Sequence, residues 1–220
     1  MQRHEEEAEA LELPARLRHV YWIGGGSGAG KSTVARRLAS RFGMRLYATD
    51  DVMRDHAGRT TPGEAPLLHA FMAMDMDERW VNRSPEVMLE TFHWFRGEGF
   101  GLIVEDLLRM PGDRGVIVEG FRLLPRLVKP LLAVPGHAVW LLPTPDFRRA
   151  AVRSRSAPSD GFVRRTSDPA TAARNLAERD RMFTERLAGE TELLRLPTVR
   201  VDTTVSEDAL CARVAAAFGL

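Results

Sequence analysis

The chain reads as an α/β domain built on a parallel, doubly wound sheet of five strands. Three observations predict it. Five short apolar runs, at residues 20–23, 44–48, 115–120, 138–142 and 198–201, are separated by segments with helical periodicity, and parallel strands need such crossovers. The first run passes through a glycine-rich turn straight into a helix. The second run ends at Asp50 and Asp51 and the third at Glu119, and the carboxyl ends of strands are where open α/β sheets hold ligands.

The bulk composition agrees. At 220 residues, 44% apolar and 28% charged, the chain is long enough for one domain with a sizeable core. Its net charge of +1, with Arg interspersed among Asp and Glu, leaves no electrostatic footprint for nucleic acid. Cys211 is the single cysteine, which excludes a disulfide framework or a cysteine metal cluster and fits a reducing, cytoplasmic setting. No stretch approaches the run of about 18 apolar residues that a membrane span requires.

Residues 1–19 are expected as a leader, acidic over 5–13 and helical or frayed, ahead of a single domain over 20–220. The domain opens on YWIGGGSGAGKST at 21–33, in which Gly25, Gly30, Lys31 and Ser32 complete G-x-x-x-x-G-K-[ST]. Glycines at 24, 25, 26, 28 and 30 permit positive φ and remove Cβ atoms, so backbone N–H groups can turn toward an anion. A helix starting at about Lys31 adds its positive dipole end and its unsatisfied first-turn donors. Lys31 is placed to reach the β- and γ-phosphates and Ser32 to offer its hydroxyl to Mg²⁺. The candidate nucleotide contacts are therefore Gly25, Gly26, Ser27, Gly28, Ala29, Gly30, Lys31, Ser32 and Thr33. Of 31 basic residues only Lys31 and Lys129 are lysine, so a chain that uses Arg elsewhere has a compact ammonium at the loop.

The remaining elements follow in order. Val34, Leu38 and Phe42 give the first helix its apolar face, and Gly43 stops it. Residues 55–82 read as a loop and one short helix over the sheet edge, with Leu67, Leu68, Phe71, Met72 and Met74 as packing residues. Ser84-Pro85-Glu86 begins a helix carrying Val87, Met88, Phe92 and Phe95 as far as the glycines at 97–99, and another helix spans 100–110. A helix over 123–133 follows the third strand. After the fourth strand comes a helix and then a Ser/Pro/Asp/Gly stretch over 154–167, bordered and studded by Arg153, Arg155, Arg164 and Arg165. Asp168-Pro169 opens a long helix whose exposed side is read to hold Arg174, Arg179 and Arg181. The fifth strand ends at Asp202-Thr203-Thr204, and Ser206 caps the closing helix. His56, His69 and His93 have no metal-like spacing and receive no role.

Taken together, the loop motif, the strand end VIVEGF, the arginine-bearing stretch after AVWLL and the ending VDTTVSEDAL resemble the nucleoside-monophosphate-kinase-like branch of P-loop kinases. That branch includes adenylate, cytidylate, shikimate, gluconate and uridine kinases and chloramphenicol phosphotransferase. The resemblance implies a P-loop NTPase three-layer sandwich with sheet order 2-3-1-4-5. It also implies a lid over about 153–168 that closes on ATP and an acceptor pocket built from about 55–110. Glu119 would hold Mg²⁺ directly or through water. Asp50 would accept the proton of an attacking alcohol, with a helix cap as its alternative, and Asp51 competes because Arg54 follows it by three residues. Arg153 and Arg155 would clamp the transferring phosphoryl group, with Arg149, Arg164 and Arg165 as weaker candidates. Asp202, Thr203 and Thr204 would lie beside adenine or form a simple turn. Arg122 would face the substrate, although this chain lacks the proline that adenylate kinases place before that arginine. The expected function is an ATP- and Mg²⁺-dependent phosphotransferase acting on the hydroxyl of a small molecule. The alternatives are a nucleoside monophosphate kinase, which needs acceptor-side arginines and no base, and a regulatory or switch ATPase.

Overall fold

The computed structural model describes residues 12–154 and 161–220, with side chains described outside 151–160. Five strands, β1 (Val20–Gly25), β2 (Arg45–Ala48), β3 (Val116–Glu119), β4 (Ala138–Pro143) and β5 (Thr198–Val201), form one all-parallel sheet in the order β2-β3-β1-β4-β5. That is the order expected.

The pleat sorts the strand residues into two cores. Val20, Trp22, Val116, Val118, Ala138 and Trp140 face one layer, and Ile23, Ile117, Val139 and Leu141 face the other. All ten are at most 1% exposed, so the strands read as continuous apolar runs because both faces are covered. The second layer holds α1 (Lys31–Phe42) and the closing helix (Glu207–Phe218), which contribute Val34, Leu38, Leu210, Val214 and Phe218. The first holds the long helix Pro169–Leu194, through Phe183 and Leu187, and the helices between β2 and β3. Leu17, in the expected leader, is 2% exposed and belongs to this first core.

Between β2 and β3 the chain forms α2 (Met53–Gly58), α3 (Pro66–Ala73), α4 (Met76–Trp80), α5 (Pro85–Thr91), α6 (His93–Arg96) and α7 (Phe100–Arg109). The expectation of one short helix over 55–82 is corrected to three. Asp75 starts α4 with a capping box: Glu78 N–H donates to Asp75 Oδ1 at 2.8 Å, and Asp75 N–H donates to Glu78 Oε2 at 2.9 Å. The single helix expected to run to the glycines at 97–99 is broken at Phe92, whose backbone is extended (φ −75°, ψ 109°). The break turns the Phe92 ring among Phe71, Phe95 and Phe121. The helix expected over 123–133 shortens to Pro125–Val128 and a 3-10 turn at Lys129–Leu131, because Pro130 has no N–H to carry the α ladder on.

Arg179 also departs from expectation. It is buried, not exposed: its guanidinium lies over Phe92, Phe95 and Trp80, with the nearest centroid at 4.7 Å, and it pairs with Asp180 at 2.6 Å. Among the described residues no helix is long and apolar enough to cross a membrane.

Candidate active site

Strand register brings the sequence-predicted acids to the phosphate loop. Ile23 of β1 and Ala48 of β2 both align with Glu119 of β3, so the loop after β1 and the Asp pair after β2 leave the same edge on either side of Glu119. Cross-strand bonds continue past the strands, from Gly120 N–H to the Ile23 carbonyl at 3.1 Å and from Thr49 N–H to the Glu119 carbonyl at 2.9 Å.

The loop has the backbone its motif requires. Gly25, Gly28 and Gly30 have positive φ. Gly24 and Gly26 do not, and what they supply is space. A Cβ on Gly26 would stand 2.5 Å from Thr184 Oγ1, and one on Gly24 would stand 2.3 Å from Trp140 Nε1. α1 follows Gly30 with no acid in its first turn, so no carboxylate of the helix itself offsets the positive end of its dipole. Lys31 is buried and donates from Nζ to the Gly26 carbonyl at 2.8 Å.

Glu119 is 3% exposed and lies beside the Ser32 hydroxyl. Burial raises its pKa above the ordinary value and the nearby Asp50 and Asp51 charges add to that, while Ser32 and Lys31 oppose it. A buried carboxylate beside a hydroxyl, with further carboxylates near, is the hard-oxygen donor set that suits Mg²⁺. Among the described residues no three His, Cys, Asp or Glu side chains converge as a metal cage, and Mg²⁺ characteristically takes its other ligands from water and phosphate oxygens.

Asp50 caps no helix; α2 starts after Val52, which makes no side-chain cap. Asp50 is exposed. Desolvation by the surrounding protein raises its pKa, the Lys31 and Arg122 charges oppose that, and Asp51 adds to it. Asp51 and Arg54 are exposed.

Gly120 follows Glu119 directly. Its φ is +151°, and a Cβ there would fall 1.7 Å from Thr49 Oγ1, one residue before Asp50. Two residues on, Arg122 is 2% exposed, its guanidinium 4.0 Å over the Trp94 ring. It donates to the Thr49 carbonyl at 3.4 Å, the Gly99 carbonyl at 3.2 Å and His56 Nδ1 at 3.0 Å. Burial lowers its pKa to about 10.

The remaining candidates are less convergent. Arg153 and Arg155 lie outside the residues whose side chains are described. Arg149 is exposed and pairs with Asp146 on its own helix; Arg164 and Arg165 are exposed. Asp202 accepts from Thr204 N–H at 2.9 Å and from its hydroxyl, an Asx turn whose tip, Thr203, is exposed. A cavity of about 620 Å³ lies between the end of β4 and the long helix. It is lined by Arg148, Arg149, Arg174 and Arg181, and its Pro143 and Thr184 also pack on Gly26. Sequence reasoning missed His56 and Asp106, which lie 50 residues apart and join at 2.7 Å. No spacing rule links them, and an acid inside an amphipathic helix ordinarily marks its solvated face.

A family model described as an AAA domain matches residues 20–173. Adenylate kinases from two strains of Thermus thermophilus are each 31% identical over 199 residues, covering 89% of this chain and 95% of theirs. Among solved structures, an uncharacterized protein from Eubacterium ventriosum is 15% identical with a TM-score of 0.47, covering 91% of this chain and 97% of that one. Deoxyadenosine kinase from M. mycoides with bound dATP is 10% identical with a TM-score of 0.48, covering 91% and 100%.

Proposed function

The chain belongs to the P-loop kinase family that includes the adenylate kinases and is an ATP-dependent kinase, and on that premise we propose that it transfers the γ-phosphoryl group to the hydroxyl of a small molecule. The observation that carries the acceptor is Asp50. It is a carboxylate just past the end of β2, held above its ordinary pKa by desolvation, in the field of Lys31 and near Glu119. A base poised closer to the working pH is better suited to take an alcohol proton as the oxygen attacks.

The residues divide the work. Loop N–H groups, the first turn of α1 and Lys31 bind and orient the phosphates, and they act on charge that grows in the transition state. Ser32 and Glu119 would hold Mg²⁺, which when bound neutralises phosphate oxygens. Asp50 takes the acceptor proton, Asp51 lends it negative field, and Arg122 beneath Thr49 supplies positive field on the acceptor side. Asp202 to Thr204 are assigned to the adenine edge. Arg153 and Arg155 are assigned to the phosphoryl group, on a lid over about 153–168 that belongs to one domain at 20–220. The single buried Cys211 fits a cytoplasmic setting.

A second reading, a nucleoside monophosphate kinase, is favoured by Arg122, since a buried guanidinium with no carboxylate bonded to it among the described residues can meet an acceptor phosphate. Asp50→Asn separates the two. ADP release with ATP and Mg²⁺ is measured against AMP, uridine, gluconate, shikimate and chloramphenicol. A hydroxyl acceptor predicts a loss of about 10²–10⁴ in kcat with ATP affinity retained. A loss under about fivefold removes the base, because proton transfer contributes more than that.

A further inference from the structure

Arg122 is held by a chain of polar groups that the phosphotransfer scheme leaves unused. His56, on α2, has a fully buried side chain. Its Nδ1 faces Arg122 Nη2 at 3.0 Å, and its Nε2 faces Asp106 Oδ2, on α7, at 2.7 Å. A guanidinium only donates, so Nδ1 accepts, and the ring is the neutral tautomer that donates from Nε2 to the carboxylate. Asp106 is itself fully engaged: Tyr47 OH donates to Oδ2 at 2.7 Å and Arg59 Nη1 to Oδ1 at 2.9 Å. Those donors hold its carboxyl down to about 2, so it is an anion at any working pH.

We infer that His56 and Asp106 are positioning residues for Arg122. They fix the guanidinium across the Thr49 and Gly99 carbonyls and over Trp94, where its field reaches Asp50 and the acceptor. The pair links three elements, α2, α7 and the turn after β3, around one cation. Asp106 orients the imidazole, the imidazole fixes the guanidinium, and neither touches the nucleotide loop. A buried Arg without that acceptor is free to turn toward another carbonyl, and small misplacements of a binding group carry large kinetic effects.

This inference rests on the kinase reading, and its test separates the two. Wild type, His56→Ala, His56→Gln and Asp106→Asn are compared by ADP release with ATP, Mg²⁺ and whichever of AMP, uridine, gluconate, shikimate or chloramphenicol turns over. The crystal structure of each variant is also determined. In His56→Ala and Asp106→Asn the KM for the acceptor rises about tenfold while that for ATP stays within about twofold. His56→Gln returns to within about threefold of wild type, because its amide offers an acceptor and a donor spaced much like the ring nitrogens. In the His56→Ala structure Arg122 leaves the Thr49 and Gly99 carbonyls. An unchanged acceptor KM, a parallel rise in both KM values, or Arg122 still in place without His56 overturns the assignment. If His56→Ala does not fold, the pair His56→Gln, wild-type-like, and Asp106→Asn, impaired, carries the same contrast. A wild type with no acceptor-dependent turnover defeats the proposed acceptor chemistry instead, and the crystal structures then decide the positioning pair alone.

Discussion

Replacing Gly120 by Ala tests whether the turn between Glu119 and Arg122 tolerates any side chain at that position. Two costs add. The residue sits at φ +151°, a conformation that costs a non-glycine residue about 1–3 kcal/mol. The new Cβ would also stand 1.7 Å from Thr49 Oγ1 and 3.0 Å from Thr49 Cβ, and Thr49 is wholly buried, so the overlap must be relieved by shifting strand ends, at about 1–3 kcal/mol. The sum is about 2–6 kcal/mol, which at this chain length lowers Tm by roughly 5–20 °C. Guanidinium unfolding of wild type, Gly120→Ala, Thr49→Ala and the double variant reads it. Deleting the hydroxyl removes the 1.7 Å overlap and leaves the φ cost, so the double variant should be more stable than the two single effects summed, by about 1–2 kcal/mol. Gly120→Ala within about 0.5 kcal/mol of wild type, the ordinary range of a surface change, or strict additivity in the cycle, refutes the reasoning.

On the proposed division of roles, Lys31→Met removes a charge assigned to the phosphate oxygens and is expected to lower kcat/KM by about 10²–10³, measured by ADP release, with Tm changed little. If Asp50 is the base, kcat falls as pH drops through its raised pKa, so the acid limb lies above that of an ordinary carboxylate; Asp51→Asn retains a limb but moves it to lower pH, because the Asp51 charge helps raise that pKa, and Asp50→Asn abolishes it in a pH–rate profile. His93 is 2% exposed and held neutral, its pKa lowered by burial from 6.5 to about 3. The unfolded chain therefore binds the extra proton across that interval, and stability is complete above about 6.5 and lost as pH falls toward about 3. Urea midpoints should decline below about pH 6.5, and His93→Gln should flatten the slope between about 6 and 4; an unaltered slope excludes His93 as the source.

The alternation of apolar runs and helices was enough for the strand count, and the loop motif was legible because Gly25 to Ser32 are local to one turn. Glu119 and Asp50 were readable for a related reason. Each ends an apolar run, and parallel strands in register put such ends on one edge. What the chain order hid depends on side chains that meet across distance. Phe92 breaks a helix that its neighbours favour because aromatic rings surround the extended position. Arg179 reads as one more surface arginine until Trp80, Phe92 and Phe95 close around it. The His56–Asp106 contact joins two helices of an insertion whose packing no periodicity specifies.

The order of strands in the sheet differs from their order in the chain, and this bears on synthesis at the ribosome. β1 pairs with β3 on one side and β4 on the other, and β2 pairs with β3. A nascent chain that ends before residue 116 thus holds two strands whose pairing partners have yet to be made, and such open edges invite pairing with other chains. The nucleotide motif is complete by Ser32, yet its strand gains neighbours on both sides only when residues 138–143 have emerged. A fragment cut short of them carries the motif and not the site.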